Sequence, residues 1–556
     1  MKTRKTLLLT LFLLLIASLG LNYYFYNLRG NIQYQISNAE KLLDLNFSSS
    51  QRDLMVDGIK SYREMYKEIH KIALNNSVAP SFIFSPIPVY YQFHKEQNRI
   101  DWNLPNRVYM PEKIEQLCFY SVAELSVLIK GKKISSVELT KMYIERLKKY
   151  NPELHCVITL LEERALKQAQ KADEEIGKGN YRGPLHGIPY GVKDLLALKD
   201  YPFTFGSKIY KNQIPEITSP VIQKLDEAGA ILVAKLSLGE LAMDDVWFGG
   251  LTRNPWNTEK GSGGSSAGPA SATSAGLVAF SIGSETWGSI MSPATICGVT
   301  GLRPTFGRVS RTGAMALSWT MDKIGPICRT AEDCALVFNV IRGKDSLDPT
   351  LVDLPFNYNP KKNIKELRIA YVEDYFKNTN RGRGNDSITL RTLMDMGVNL
   401  IKVKLPEQFP STAISIMLWA EAAAAFSDLT LTQKDTMMIL QGKGTWPDIF
   451  RKARFIPAVE YIQASRIRTQ LIAAFMDIFK TVDVIVCPTW GGNQELMTNL
   501  TGHPALLIPN GFDKDNMPTS ITFIADWYNE ADLLLLGSAY QKKAEFYKNH
   551  PKKFLP

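Results

Sequence analysis

The stretch at residues 260–304 constrains this chain more than any other. It carries two glycine-flanked serine clusters, Gly263-Gly264-Ser265-Ser266 and Gly288-Ser289, joined by a run rich in Ala, Ser, Thr and Gly. Glycine permits backbone conformations closed to other residues and lets a ligand approach the main chain. Between the clusters, residues 267–279 hold no charge and no bulky side chain before Leu277. That composition predicts a helix packed on all sides, a rigid mount for serine-bearing loops.

Other readings of the stretch fit less well. A Gly/Ser linker would be flexible, but Val278, Ala279, Phe280 and Ile282 lead straight into apolar sequence. A phosphate-binding loop needs a Lys after its last glycine, and none follows here. Gly264-Ser265-Ser266-Ala267-Gly268 matches the G-x-S-x-G nucleophile elbow, which requires a preceding strand. Asn254-Pro255-Trp256-Asn257 reads as a turn instead.

The pattern continues well beyond the serines. Gly263-Gly264-Ser265-Ser266-Ala267-Gly268 is followed by Glu285-Thr286-Trp287-Gly288-Ser289-Ile290-Met291 and by Cys297-Gly298-Val299-Thr300-Gly301-Leu302-Arg303-Pro304-Thr305. Ser265 and Ser289 stand about two dozen residues apart, and Asp322-Lys323-Ile324-Gly325-Pro326 extends the run. This series resembles the amidase signature hydrolases over roughly residues 116–550. The resemblance implies an α/β fold, a large mixed sheet wrapped by helices.

Along the rest of the chain, the 556 residues are 45% hydrophobic and 22% charged, ample for a large core. The net charge of +10 permits attraction to anionic surfaces. No basic cluster is interleaved with aromatics, so the charge reads as a solvated surface and no nucleic-acid partner is expected. The six cysteines lack C-x-x-C spacing and read as buried thiols.

Lys2, Arg4 and Lys5 precede an uncharged run over residues 6–28, with the aromatics Tyr23, Tyr24, Phe25 and Tyr26 near its end. This pattern predicts a transmembrane anchor at residues 1–29, with the body outside the cytoplasm in the cell envelope. A cleaved signal and secretion are the alternative. Residues 30–115 read as a helical and then loop-like extension. Ile59, Tyr62, Met65, Tyr66 and Ile69 recur at helical spacing, and Pro80, Pro86 and Pro88 break any later helix.

The catalytic domain is expected at residues 116–550. Ser121-Val122-Ala123-Glu124 and Ser135-Ser136-Val137-Glu138 are capping boxes, and Ser219-Pro220 opens a helix that Gly229 closes. Ser237-Leu238-Gly239-Glu240 reads as a further helix start. Strands are expected at residues 156–160, 231–234, 367–372, 482–486 and 520–524. Alternating strands and helices argue for an α/β domain.

Hydrolysing an amide requires a nucleophile, a base and donors for the developing oxyanion. Histidine is scarce: of six, only His186 and His503 lie near the motifs, and both read as structural. H-E-x-x-H is absent, and neither a metal nor another cofactor is expected. Lys193 closes the apolar run from Gly187 to Val192, where burial would favour its neutral form. An ion pair with Asp194 at a strand end is the other reading of the same position.

The resemblance implies roles for particular residues. Ser289 is the acyl-enzyme nucleophile, Lys193 the base, and Ser265, after a cis Gly264–Ser265 bond, the bridge between them. Backbone N–H groups of Thr286, Trp287, Gly288 and Ser289 form the oxyanion hole, and Ser266 is a secondary candidate. Two positions depart from the family pattern: Trp287 replaces a glycine, and Met291 replaces an arginine.

The function expected is a membrane-anchored amidohydrolase cleaving a small-molecule carboxamide by a Ser-cisSer-Lys triad. A glutamine-hydrolysing subunit of an aminoacyl-tRNA amidotransferase is one alternative, and an inactive envelope binding protein is another. Nothing in the sequence specifies an oligomeric state.

Overall fold

A computed structural model describes residues 2–72, 74–88, 91–93, 96–378 and 382–556, without side chains at 2–5, 22–30, 378 and 383. It divides into two units, Met1–Leu74 and Asn75–Pro556. The first holds the helices Lys2–Gly30, Ile32–Leu42 and Ser49–His70. Ser48 and Gln51 cap the third by a reciprocal box. Arg52 pairs with Glu40 at 2.5 Å, tying the second and third helices together.

The expected transmembrane anchor is corrected here. Among the described residues no helix is long and apolar enough to cross a membrane. The basic Lys2, Arg4 and Lys5 and the aromatic Tyr23, Tyr24, Phe25 and Tyr26 lie outside the described side chains.

The second unit is built on an eleven-stranded mixed sheet. In chain order its strands are β1 (Val157–Leu160), β2 (Pro189–Lys193), β3 (Ile231–Leu236), β4 (Phe280–Glu285), β5 (Thr300–Arg303) and β6 (Lys323–Cys328). They continue with β7 (Ile369–Tyr371), β8 (Leu400–Lys402), β9 (Val484–Pro488), β10 (Ala505–Phe512) and β11 (Pro518–Ala525). The spatial order is β1-β3-β2-β4-β6-β5-β10-β11-β9-β7-β8. Strand β2 runs parallel to both β3 and β4, whereas β6 runs antiparallel to β4.

Strands β2 and β3 are buried along their whole length. Helices cover both faces of such a sheet, so its central strands carry near-continuous apolar runs rather than alternation. Both expected capping boxes form, at Ser121/Glu124 and Ser135/Glu138. The helix Pro220–Glu227 ends ahead of Gly229, whose φ is +80°.

The expected helix start at Ser237 is also corrected. Only a short 3-10 turn, Glu240–Ala242, follows it. The Ser237 hydroxyl is committed to Thr252 Oγ1 at 2.7 Å and so caps nothing. Glu240 instead accepts from the Ser207 hydroxyl and the Ile439 N–H.

Candidate active site

The helix Ala267–Ser274 is the rigid mount. Every residue in it is buried. A Cβ added to Gly268 would come within 2.4 Å of the Ser237 nitrogen. The small-residue composition is therefore a packing requirement, because the helix backbone lies directly against the end of β3. At its start the chain turns through the Arg253–Asn254 and Asn257–Gly261 hairpin, then through a cis Gly264–Ser265 peptide. Gly264 has no room for a side chain: its Cβ would fall 1.7 Å from the Asp244 carbonyl oxygen.

Lys193 ends β2, and its side chain is fully buried. Its Nζ is hydrogen-bonded to Ser265 Oγ at 2.7 Å, Ser284 Oγ at 3.0 Å and Ser266 Oγ at 3.1 Å. The Ser266 hydroxyl donates to the Ser284 carbonyl at 3.0 Å, so it meets the amine as an acceptor. A neutral amine has two N–H groups and one lone pair. With Ser266 and Ser284 taking the two N–H groups, the lone pair is left for the Ser265 proton.

Burial holds the Lys193 amine well below its ordinary pKa, against the opposing pull of the Asp322 and Glu285 carboxylates. The alternative reading, a Lys193–Asp194 ion pair, does not occur. Asp194 pairs with Lys235 at 2.5 Å and accepts from the Thr204 N–H.

Ser289 follows β4 on a short loop, and no hydrogen bond reaches its hydroxyl among the described residues; its carbonyl accepts from the Ser266 N–H at 3.0 Å. The Ser265–Ser289 leg of the expected relay is thus not formed by a hydrogen bond among the described residues. Catalytic hydrogen bonds of free enzymes commonly tighten only when substrate binds.

The loop's shape is set by polar anchors at both ends. Glu285 Oε2 accepts from the N–H groups of Ile290 at 2.8 Å and Met291 at 3.0 Å. Its Oε1 accepts from Arg303 at 2.8 Å and from the Asn499 amide at 2.9 Å. The Thr286 hydroxyl donates to Asp322, which also accepts from the N–H groups of Leu317 and Ser318. Among the described residues, none of the N–H groups of Thr286, Trp287, Gly288 and Ser289 donates to a protein acceptor. Four free donors beside a serine can cradle an oxyanion.

The family's glycine at position 287 is dispensable in this backbone. The positive φ, +82°, falls at Gly288, and Trp287 is not among the positive-φ residues. The indole of Trp287 is half-buried and lies against Trp419, with ring centroids 6.3 Å apart. Met291, which stands where the family pattern has an arginine, is buried.

Sequence reasoning missed Ser284, Arg303, Asp322 and Asn499. Ser284 could have been found by continuing β4 toward the lysine. Arg303 and Asp322 lie inside the motif series, but spacing alone gives them no visible partner. His186 and His503 are structural: His186 accepts from the Arg182 N–H, and His503 bonds Thr501 and stacks on Trp527. All six cysteines are buried free thiols, and no group able to hold a metal ion occurs among the described residues.

The mixed sheet wrapped by helices agrees with what the sequence matches. The amidase family model matches residues 138–494, and the chain belongs to that family, the amidase signature enzymes. It is 33% identical to the A subunit of the glutamyl-tRNA(Gln) amidotransferase of Coxiella burnetii, over 78% of this chain and 99% of that one. The corresponding protein of Rippkaea orientalis is also 33% identical, with the same shares covered. The peptide amidase of Stenotrophomonas maltophilia superposes with a TM-score of 0.71 at 27% identity, over 78% of this chain and 98% of its own. The two amidotransferase subunits among these relatives also overturn the expected envelope location.

Proposed function

We propose that this chain hydrolyses a carboxamide C–N bond through an acyl-enzyme on Ser289. Neutral Lys193 takes the Ser265 proton while Ser265 takes that of Ser289. The Ser289 oxygen then attacks the carbonyl carbon, and the oxyanion that forms is held by the N–H groups of Thr286 to Ser289. The proton returns through Ser265 to the leaving nitrogen, the C–N bond breaks, and water releases the acid by the same route. The observation that carries this reading is the Lys193 amine, buried without a carboxylate partner and 2.7 Å from Ser265 Oγ.

Similarity to amidotransferase A subunits along 99% of their length favours the amide of glutamine as the substrate, with ammonia as the product. In that role the chain works with a tRNA-binding partner. A second reading, a free-standing amidase for an uncharged amide, is favoured by the Trp287–Trp419 wall and the buried Met291. Ammonia release from glutamine and from an aromatic primary amide, assayed side by side on the isolated chain, separates the two. Absence of hydrolysis with both, together with failure of a fluorophosphonate to label the protein, overturns the amidase reading itself.

A further inference from the structure

Glu495 sits in the first turn of the helix Gln494–Thr501, against the Thr286–Ser289 loop. A Cβ added to Gly288 would lie 2.8 Å from Glu495 Oε1 and 3.2 Å from its Cδ. The carboxyl therefore fills the space that a side chain at position 288 would occupy. Its Oε1 is shut off from solvent and has no hydrogen-bond partner, although the residue as a whole is half-buried. The helix is fixed to the same loop anchor from its other turn, because Asn499 donates both to Glu285 and to the Glu495 carbonyl.

We propose that Glu495 is a positioning residue: its uncharged carboxyl props the Gly288 segment of the oxyanion loop, and its ionisation switches the site off. The inference rests on the reading of Ser289 as nucleophile. An ionised Glu495 would put a negative charge beside the N–H groups that must hold another one, with no cation bonded to it. In its protonated form the same carboxyl keeps its contact and adds no charge.

The surrounding charges favour the protonated form. Burial and the Glu285 carboxylate push Glu495 up to about 8, with Arg303 and a hydrogen bond from the Trp287 side chain pulling the other way. Arg303 is already engaged by Glu285, Thr498 and the His503 carbonyl. Ahead of β6, Asp322 is held by Thr286, Leu317 and Ser318, and at its start the Lys323 ammonium is disfavoured by burial and by Arg303. Arg468 is spent on Thr320 and the Leu500 carbonyl, and burial keeps His503 from taking a proton.

The test is the pH dependence of fluorophosphonate labelling at Ser289, in the parent chain and in Glu495→Gln. Lys193 gives a limb that rises with pH, and Glu495 adds a falling limb centred near pH 8. A group titrating there retains only about a tenth as much of its protonated form at pH 9 as at pH 7. Glu495→Gln cannot ionise, so its ratio of labelling rates at pH 9 to pH 7 is expected to exceed the parent's roughly tenfold. An equal ratio in the two proteins overturns the proposal. If Glu495→Gln does not fold, the parent decides alone: labelling that climbs without a falling limb to pH 10 also overturns it. Absence of labelling at Ser289 at every pH defeats the underlying amidase reading instead.

Discussion

Lys193 and Asp194 are adjacent in the chain, yet they serve different partners. The Lys193 amine meets three serine hydroxyls and the Ser284 carbonyl, whereas the Asp194 carboxylate closes on Lys235 at 2.5 Å. Had the two paired with each other, the amine would be held charged. Separated, it is left to the desolvation that favours the neutral base.

Activity should rise with pH as the Lys193 amine loses its proton, well below the unfolded value of about 10.4. Lys193→Arg keeps the charge but cannot deprotonate, so it is expected to be nearly as inactive as Lys193→Ala. Between the folded and unfolded pKa values the unfolded chain binds more protons, so this residue makes stability rise with pH in that window. Lys193→Met should remove that slope and stabilise the neutral-pH protein by ~1–2 kcal/mol while abolishing hydrolysis. Thermal unfolding from pH 7 to 10 measures the slope and the gain in stability.

Ser266 and Ser289 should separate cleanly in kinetics. Ser289→Ala is expected to lose all turnover. Ser266→Ala removes one hydrogen bond to Lys193 and one to the Ser284 carbonyl, leaving roughly a tenth of the rate. Single-turnover acylation with an amide substrate checks the difference.

The readable part of the site was the part written in short-range spacing. Gly264, Ser265, Ser266 and Ser289 lie in motifs whose glycines have steric duties that the structure makes plain. The turn at Asn254–Asn257 and a buried helix from Ala267 follow from composition, although the helix ends at Ser274 and not at residue 279 as its small-residue run suggested. Glu495 was invisible because its meaning depends on touching Gly288, from which it is remote in sequence. The Ser237 cap misled because a hydroxyl before a Gly-Glu pair looks the same whether it caps or bonds Thr252. At the N-terminus, charge and hydropathy suggested an anchor that the described helices do not supply.

Glu285 should matter for the fold as well as for the loop that it anchors. Glu285→Gln weakens the Arg303 ion pair within a buried network, an expected loss of ~3 kcal/mol or more. Burial opposes the ionised Glu285, but Arg303, Lys323 and Asn499 outweigh it and hold the pKa below the usual range. Its contribution is therefore present above the unfolded pKa of about 4.3 and lost as pH falls through the lower folded value. Denaturant melts at pH 7 and at pH 3 should show the variant's deficit shrinking at the acid end.

Trp287→Gly restores the family's residue and opens the wall against Trp419. If that wall selects the substrate, kcat/KM should fall for an aromatic primary amide and rise for glutamine, by ~tenfold in their ratio. An unchanged ratio would remove the indole from substrate choice.

The most direct measurement is the site of the covalent adduct. The protein is treated with a fluorophosphonate, digested, and the modified peptide sequenced by mass spectrometry. The account predicts a single adduct on Ser289, absent from Ser289→Ala and strongly slowed in Lys193→Ala. An adduct on Ser265 or Ser266, or undiminished labelling of Ser289→Ala, would contradict it.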